Sequence, residues 1–115
     1  TIPSSLEASY LTECILVYVS KAVVEYARSL RVVSNATFQQ LQLDATFQLG
    51  LLRRYHDMGS IRKEAIPAAF WAETATVAYE RVPVSAGRSA LPHPVIEKLI
   101  ANELETFCPQ PLPLQ

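Results

Sequence analysis

Apolar residues recur at helical spacing in four segments of the chain, and no sustained alternation of period two breaks the pattern. The first segment opens on Ser4-Ser5-Leu6-Glu7, the Ser-x-x-Glu form of a capping box. Behind it Leu11, Ile15, Tyr18, Ala22, Tyr26 and Leu30 fall on one broad apolar face. Glu13, Lys21, Glu25, Arg28 and Arg31 mark the expected wet side, although Val17 and Val24 intrude on it, which a fully solvated helix would not carry. The pattern predicts a helix over about 5–32.

The second segment is the most informative. Phe38, Leu41, Ala45, Leu49 and Leu52 form one apolar stripe, and Leu43, Phe47 and Leu51 form another on nearly the opposite side. A surface helix needs one apolar face, so a helix with two is expected to lie between neighbours. Gln40, Asp44 and Gln48 run along the seam between the stripes and need hydrogen-bond partners if buried. Ser34-Asn35 supplies an N-terminal cap, and Gly59, just after Asp57-Met58, suits the C-terminal one.

Ser60 is expected to cap a third helix running to about Arg81, with Pro67 forcing a kink or a restart inside it. Ala65, Ala69, Ala72 and Thr76 give that helix a small-residue stripe, with Phe70, Trp71, Val77 and Tyr79 as bulk on its flanks. Val82-Pro83 stops it, and 85–90 reads as a flexible loop. Pro92 and Pro94 are tolerated in the first turn of a fourth helix bearing Val95, Ile96, Leu99, Ile100 and Leu104. The expected architecture is all-α: a small bundle of about four antiparallel helices over 1–107, then a proline-rich flexible tail over 108–115.

The run Phe38-Gln39-Gln40-Leu41-Gln42-Leu43-Asp44, with Glu25-Tyr26-Ala27-Arg28 before it, carries a family resemblance. It continues through Phe47 to Tyr55 and returns at Val82-Pro83-Val84 and Pro94-Val95-Ile96-Glu97, in order and over more than half of the chain. In these residues the chain resembles the C-terminal segment of the vacuolar protein sorting protein fifty-one family. Members are subunits of the Golgi-associated retrograde protein and endosome-associated recycling protein tethering complexes. The resemblance implies a C-terminal helical module of a much longer, rod-like subunit, without catalysis and without a cofactor. It also implies a cytosolic protein, peripheral on trans-Golgi network and endosomal membranes. Its implied partners are other subunits of the complex, with SNAREs, small GTPases or phosphoinositide membranes as further candidates. The family's SNARE-binding segment lies at the far end of its chain and transfers to no residue here.

Composition narrows the picture from another side. Ten Lys and Arg against eleven Asp and Glu leave a net charge of −1, so no global field draws in nucleic acid. Half of the residues are hydrophobic, a normal globular value that argues against a disordered chain. Glu13, Lys21 and Glu25 break the longest apolar runs, so no bilayer span is expected. Cys14 and Cys108 lie far apart and read as free thiols.

Candidate chemistry is sparse. Ser60-Ile61-Arg62-Lys63 has the Ser-x-x-Lys form that a nucleophilic serine could use, yet no companion motif accompanies it. His56 and His93 lack a second ligand at helical spacing, so neither suggests a metal site. Asn35-Ala36-Thr37 is a glycosylation pattern, relevant only to a secreted chain. Asp44, with Gln40 and Gln48 one turn to either side, reads as a structural hydrogen-bonding group rather than an acid catalyst. The single basic concentration, Arg53, Arg54, Arg62 and Lys63 with His56, is a candidate docking patch for an acidic partner or phosphoinositide headgroups. Apolar positions such as Val17, Val24 and the second stripe of helix two exceed what four helices bury alone, which favours a scaffold packed on another chain. The alternative is a free-standing small helical protein holding a lipid or apolar ligand between its helices.

Overall fold

A computed structural model describes residues 4–108, and the side chains from residue 8 onward. Within them the chain forms four helices: α1 (Ser4–Ser29), α2 (Asn35–Asp57), α3 (Ile66–Glu80) and α4 (His93–Phe107). The all-α architecture is as the periodicity predicts. The capping-box side chains of Ser4 and Glu7 and the tail beyond Cys108 lie outside the described part.

Local chemistry sets most of the boundaries. Ser34 is the N-cap of α2, its hydroxyl accepting from the Thr37 N–H at 3.3 Å. At the other end Gly59 takes φ 72°, and the N–H groups of Gly59 and Ser60 donate to the carbonyls of His56 and Tyr55. That is a Schellman closure, and the left-handed position needs glycine. α1 stops at Ser29, short of the expected end, because Val33 is drawn into an extended pairing. The Val33 N–H donates to Pro83 O at 2.9 Å and Val33 O accepts from the Ser85 N–H at 3.0 Å, which stitches the α1–α2 and α3–α4 connections together.

The third helix departs from expectation at its start. It begins at Ile66, not at Ser60, and Pro67 occupies its first turn, where the missing N–H costs nothing. Ser60 therefore closes α2 rather than capping α3, whose N-cap position is Ala65 without a side-chain bond.

α1, α2 and α3 pack mutually, most extensively α1 on α3, while α4 packs on α2 and on no other helix among the described residues. α2 is thus the shared wall, as its two stripes require. Phe38, Leu41 and Ala45 join Val24, Ala27, Ala75 and Tyr79 in one cluster, and Leu52 joins Leu16, Ala68 and Ala72 in another. On the opposite side Leu43, Phe47 and Leu51 meet Ile96, Ile100 and Leu104 of α4. Gly50 makes this second contact close, since a Cβ there would lie 3.2 Å from Leu104 Cδ1 and 3.3 Å from Ile100 Cγ2.

α1 is rotated from the expected face, and this is the largest correction. Its buried side is Glu13, Leu16, Ser20, Val24 and Ala27. Most of the expected face is in water: Leu11, Ile15, Tyr18, Ala22 and Tyr26 are exposed, while Leu30, just past the helix, packs on the core. The reason lies in α3, whose buried stripe is Ala65, Ala68, Ala72 and Ala75, also turned from the expected set by a residue or so. An alanine surface admits a close neighbour only if the neighbour is also small, so α1 presents its Ser20, Val24 and Ala27 side and leaves its bulky side out.

Candidate partner-binding surface

The exposed stripe of α1 is the most prominent functional candidate. Leu11, Ile15, Tyr18, Ala22 and Tyr26 line the side of the helix opposite the buried Leu16, Ser20, Val24 and Ala27. Two clefts flank this ridge. Towards α3 lies one of about 400 Å³, lined by Tyr10, Cys14, Val17, Tyr18, Lys21 and Pro67 among others. Towards α2 lies a smaller one of about 160 Å³, bordered by Thr12, Ile15, Val19, Gln48, Leu51 and Tyr55. A run of large apolar side chains along a helix that already has a buried face elsewhere is the mark of an interaction surface. Sequence reasoning found these residues but assigned them to the core. The signal for the true core face was the pair Val17 and Val24 on the supposed wet side.

The rim of the larger cleft carries an ion pair. Glu13, with 6% of its side chain exposed, accepts from Arg62 Nε at 2.8 and 3.0 Å and from Arg62 Nη2 at 2.9 Å. This bidentate pairing is what makes a carboxylate tolerable on the buried side of α1. The Glu13 carboxylate in turn holds the Arg62 guanidinium above its ordinary range, chiefly by hydrogen bonding and then by charge. Lys21 lies 4.9 Å over the Trp71 ring, which itself meets Phe70 edge-on.

The expected basic patch is divided by the fold. Arg54 turns to α4, donating to Glu105 at 3.0 Å and to Cys108 O at 2.9 Å. Arg62 serves Glu13 on α1. Arg53 and Lys63 remain together with His56, around a cleft of about 460 Å³ that also holds Asp57 and Glu64. Asp57 and Glu64 offset that charge at a distance, so a contact there would rest on short-range pairing with Arg53 and Lys63.

The glutamine-rich run has a structural task. Gln42 is buried and exchanges two bonds with Leu91, accepting from its N–H at 2.9 Å and donating to its carbonyl at 3.4 Å. Gln39 donates to Ser89 O, and the Ser89 N–H donates to Asn35 Oδ1, both at 2.8 Å. The loop before α4 is therefore fastened to α2 by side chains from Asn35, Gln39 and Gln42. Gln40 and Asp44 bond to each other at 2.9 Å on the surface rather than in a buried seam. Gln48, one turn further, is buried, and its Oε1 has no partner.

The remaining chemistry stays dispersed. Among the described residues no hydrogen bond joins Ser60 to Lys63. His56 Nε2 lies 3.2 Å from Lys63 O, and His93 Nε2 lies 2.9 Å from Glu97 Oε1. No group of three or more metal-ligating side chains forms among the described residues. Cys14 is exposed and Cys108 buried, and both are free. No helix among the described residues is long and apolar enough to cross a membrane.

Comparisons with protein-family models, with curated proteins and with solved structures gave no match.

Proposed function

We propose that this chain is a non-catalytic scaffold module of a multisubunit vesicle-tethering complex in endosome-to-Golgi retrograde transport, working at trans-Golgi network and endosomal membranes. The observation that carries the reading is the ridge of Leu11, Ile15, Tyr18 and Tyr26, large side chains left in water on a helix whose other side is fully used. The resemblance of the Phe38–Asp44 run to the tethering family supplies the biological setting, and the run sits at the shared wall of the fold. Arg53 and Lys63 offer a secondary contact for an acidic partner or phosphoinositide headgroups, with Arg54 and Arg62 engaged within the fold.

Affinity purification of the tagged chain from cells tests the reading. The wild type should retain other subunits of a tethering complex and concentrate on trans-Golgi membranes. Tyr18→Ser with Ile15→Ser should lose those subunits while the domain stays folded. A wild-type chain that brings down no tethering subunit would overturn the assignment. Reversal of Arg53 and Lys63 to Glu separates the second contact: recruitment should fall with thermal stability nearly unchanged, because exposed charges contribute little to folding.

A further inference from the structure

We propose that the end of the molecule where α1 and α3 stop is a membrane-facing surface that binds anionic phospholipid, with a lipid phosphate drawn between Arg28 and Arg81. This surface is separate from the α1 ridge and from the cleft of Arg53 and Lys63, and it goes beyond the tethering reading.

The fold that divides one basic group assembles another. Arg28 lies in the last turn of α1, Arg31 in the α1–α2 connection, Arg81 at the C-cap of α3 and Arg88 in the loop before α4. They form no cluster in sequence. The pairing of Val33 with Pro83 and Ser85 brings the two connections together. Arg28 and Arg81 then line one cleft of about 290 Å³, along with Leu30, Thr74 and Val77. Arg88 reaches over the Phe38 ring, 6.0 Å from its centroid, and Ser89 beside it is bonded to Asn35. All four arginines are exposed, and none enters an ion pair among the described residues.

Charge calls for an anionic occupant. Segments 25–38 and 77–90 hold these four arginines against two acids, Glu25 and Glu80, whereas the rest of the chain holds six bases against nine acids. Arg28 and Arg81 can each offset the negative end of a helix dipole. Arg31 and Arg88 have no such task, and the first turn of α2, the positive end of its dipole, carries no acid. A positive end without counter-charges attracts anions. Apolar side chains among the arginines select a bilayer as their source. Val32, next to Arg31, is 62% exposed, and Val77, inside the arginine-lined cleft, is 47% exposed. A headgroup layer offers phosphate to the arginines and an acyl boundary to the valines, whereas a nucleic acid backbone rewards the arginines alone.

Flotation of the whole chain with phosphatidylcholine vesicles, with and without phosphatidylserine, tests the proposal. The chain should float with the anionic vesicles, stay behind with the neutral ones, and come off as salt is raised. Each arginine at an anionic surface is worth about fivefold in partitioning, so Arg28→Gln with Arg81→Gln should weaken it roughly twenty-fold. The helical circular dichroism of that variant should match the wild type. Val32→Ser should weaken binding severalfold with no change of charge. Arg53→Gln with Lys63→Gln removes the same charge elsewhere and should leave binding much closer to wild type. Equal loss in the two double variants would mean that net charge alone acts, and would overturn the site. A wild type that ignores anionic vesicles, or that binds single-stranded RNA in their place through the same arginines, would overturn the membrane assignment. Retention of tethering subunits is read without vesicles, so the proposed function stands or falls separately.

Discussion

Single residues show where this fold departs from easy satisfaction. Gln48 is 7% exposed, and its Oε1 finds no donor, although the glutamine one and a half turns earlier, Gln42, is bonded on both sides. A buried acceptor without a donor costs free energy that an apolar side chain of similar shape does not. Gln48→Met should therefore stabilise the domain by about 1 kcal/mol, seen as a higher urea midpoint with an unchanged slope. A lower midpoint would mean that the amide is engaged after all. Two tyrosines set the behaviour at high pH. Burial, and then the charge of Glu80, raises the Tyr79 hydroxyl above its ordinary 10.0, with a Gln42 hydrogen bond opposing. Burial, and then Cys108, raises Tyr55 likewise. A folded pKa above the unfolded one means that the unfolded chain loses its proton first. The stabilisation is then complete below pH 10 and is lost as pH rises through the folded values. Urea midpoints should hold steady up to about pH 10 and fall above it, and Tyr79→Phe should flatten that fall.

At the level of helices, what the sequence revealed depended on how many faces each one uses. α2 carries two stripes and was legible at once, since both stripes are large and each finds its own neighbours: Phe38 and Leu41 in one cluster, Phe47 and Leu51 in the other. α1 also has two apolar sides, but there the rule that bulk goes inward failed. The alanines of α3 select small residues, so Ser20 and Ala27 are buried while Tyr18 and Tyr26 are not. That choice depends on a neighbour 50 residues or so away and is invisible within α1 itself. The divided basic turn has the same origin, because partners Glu13 and Glu105 are distant in sequence from Arg62 and Arg54. The sandwich of α2 is testable through its two phenylalanines, which the two-stripe pattern alone would rank equally. Phe38 is 3% exposed and stacks obliquely on Tyr79 at 5.7 Å, so Phe38→Ala should cost about 3–5 kcal/mol. Phe47 is only partly buried against a single helix, so Phe47→Ala should cost clearly less in thermal or urea unfolding.

The whole molecule is extended for its size. Its radius of gyration is 15.7 Å and it measures 53 × 32 × 18 Å. A compact chain of this length would have a radius near 13 Å. The packing is most open at α4, which reaches α2 alone and stands outside the mutual packing of the first three helices. Its hold consists of Ile96, Ile100 and Leu104 against Leu43, Phe47 and Leu51, with Arg54 bonded to Glu105 and Cys108 at one end and Gln42 bonded to Leu91 at the other. An element with one neighbour has fewer contacts to lose on opening, so α4 should open without the rest. Native-state hydrogen exchange should place the amides of α4 well below those of α1–α3 in protection. Gly50 provides the means to test the cause rather than the correlation. Its missing side chain is what lets Leu104 and Ile100 approach, so Gly50→Leu must push α4 away. Exchange in α4 should then rise to that of an open chain while the core amides around Leu41 and Ala75 keep their protection. Equal loss throughout would show that the four helices unfold as one unit, and that α4 is part of the core rather than a helix added to it.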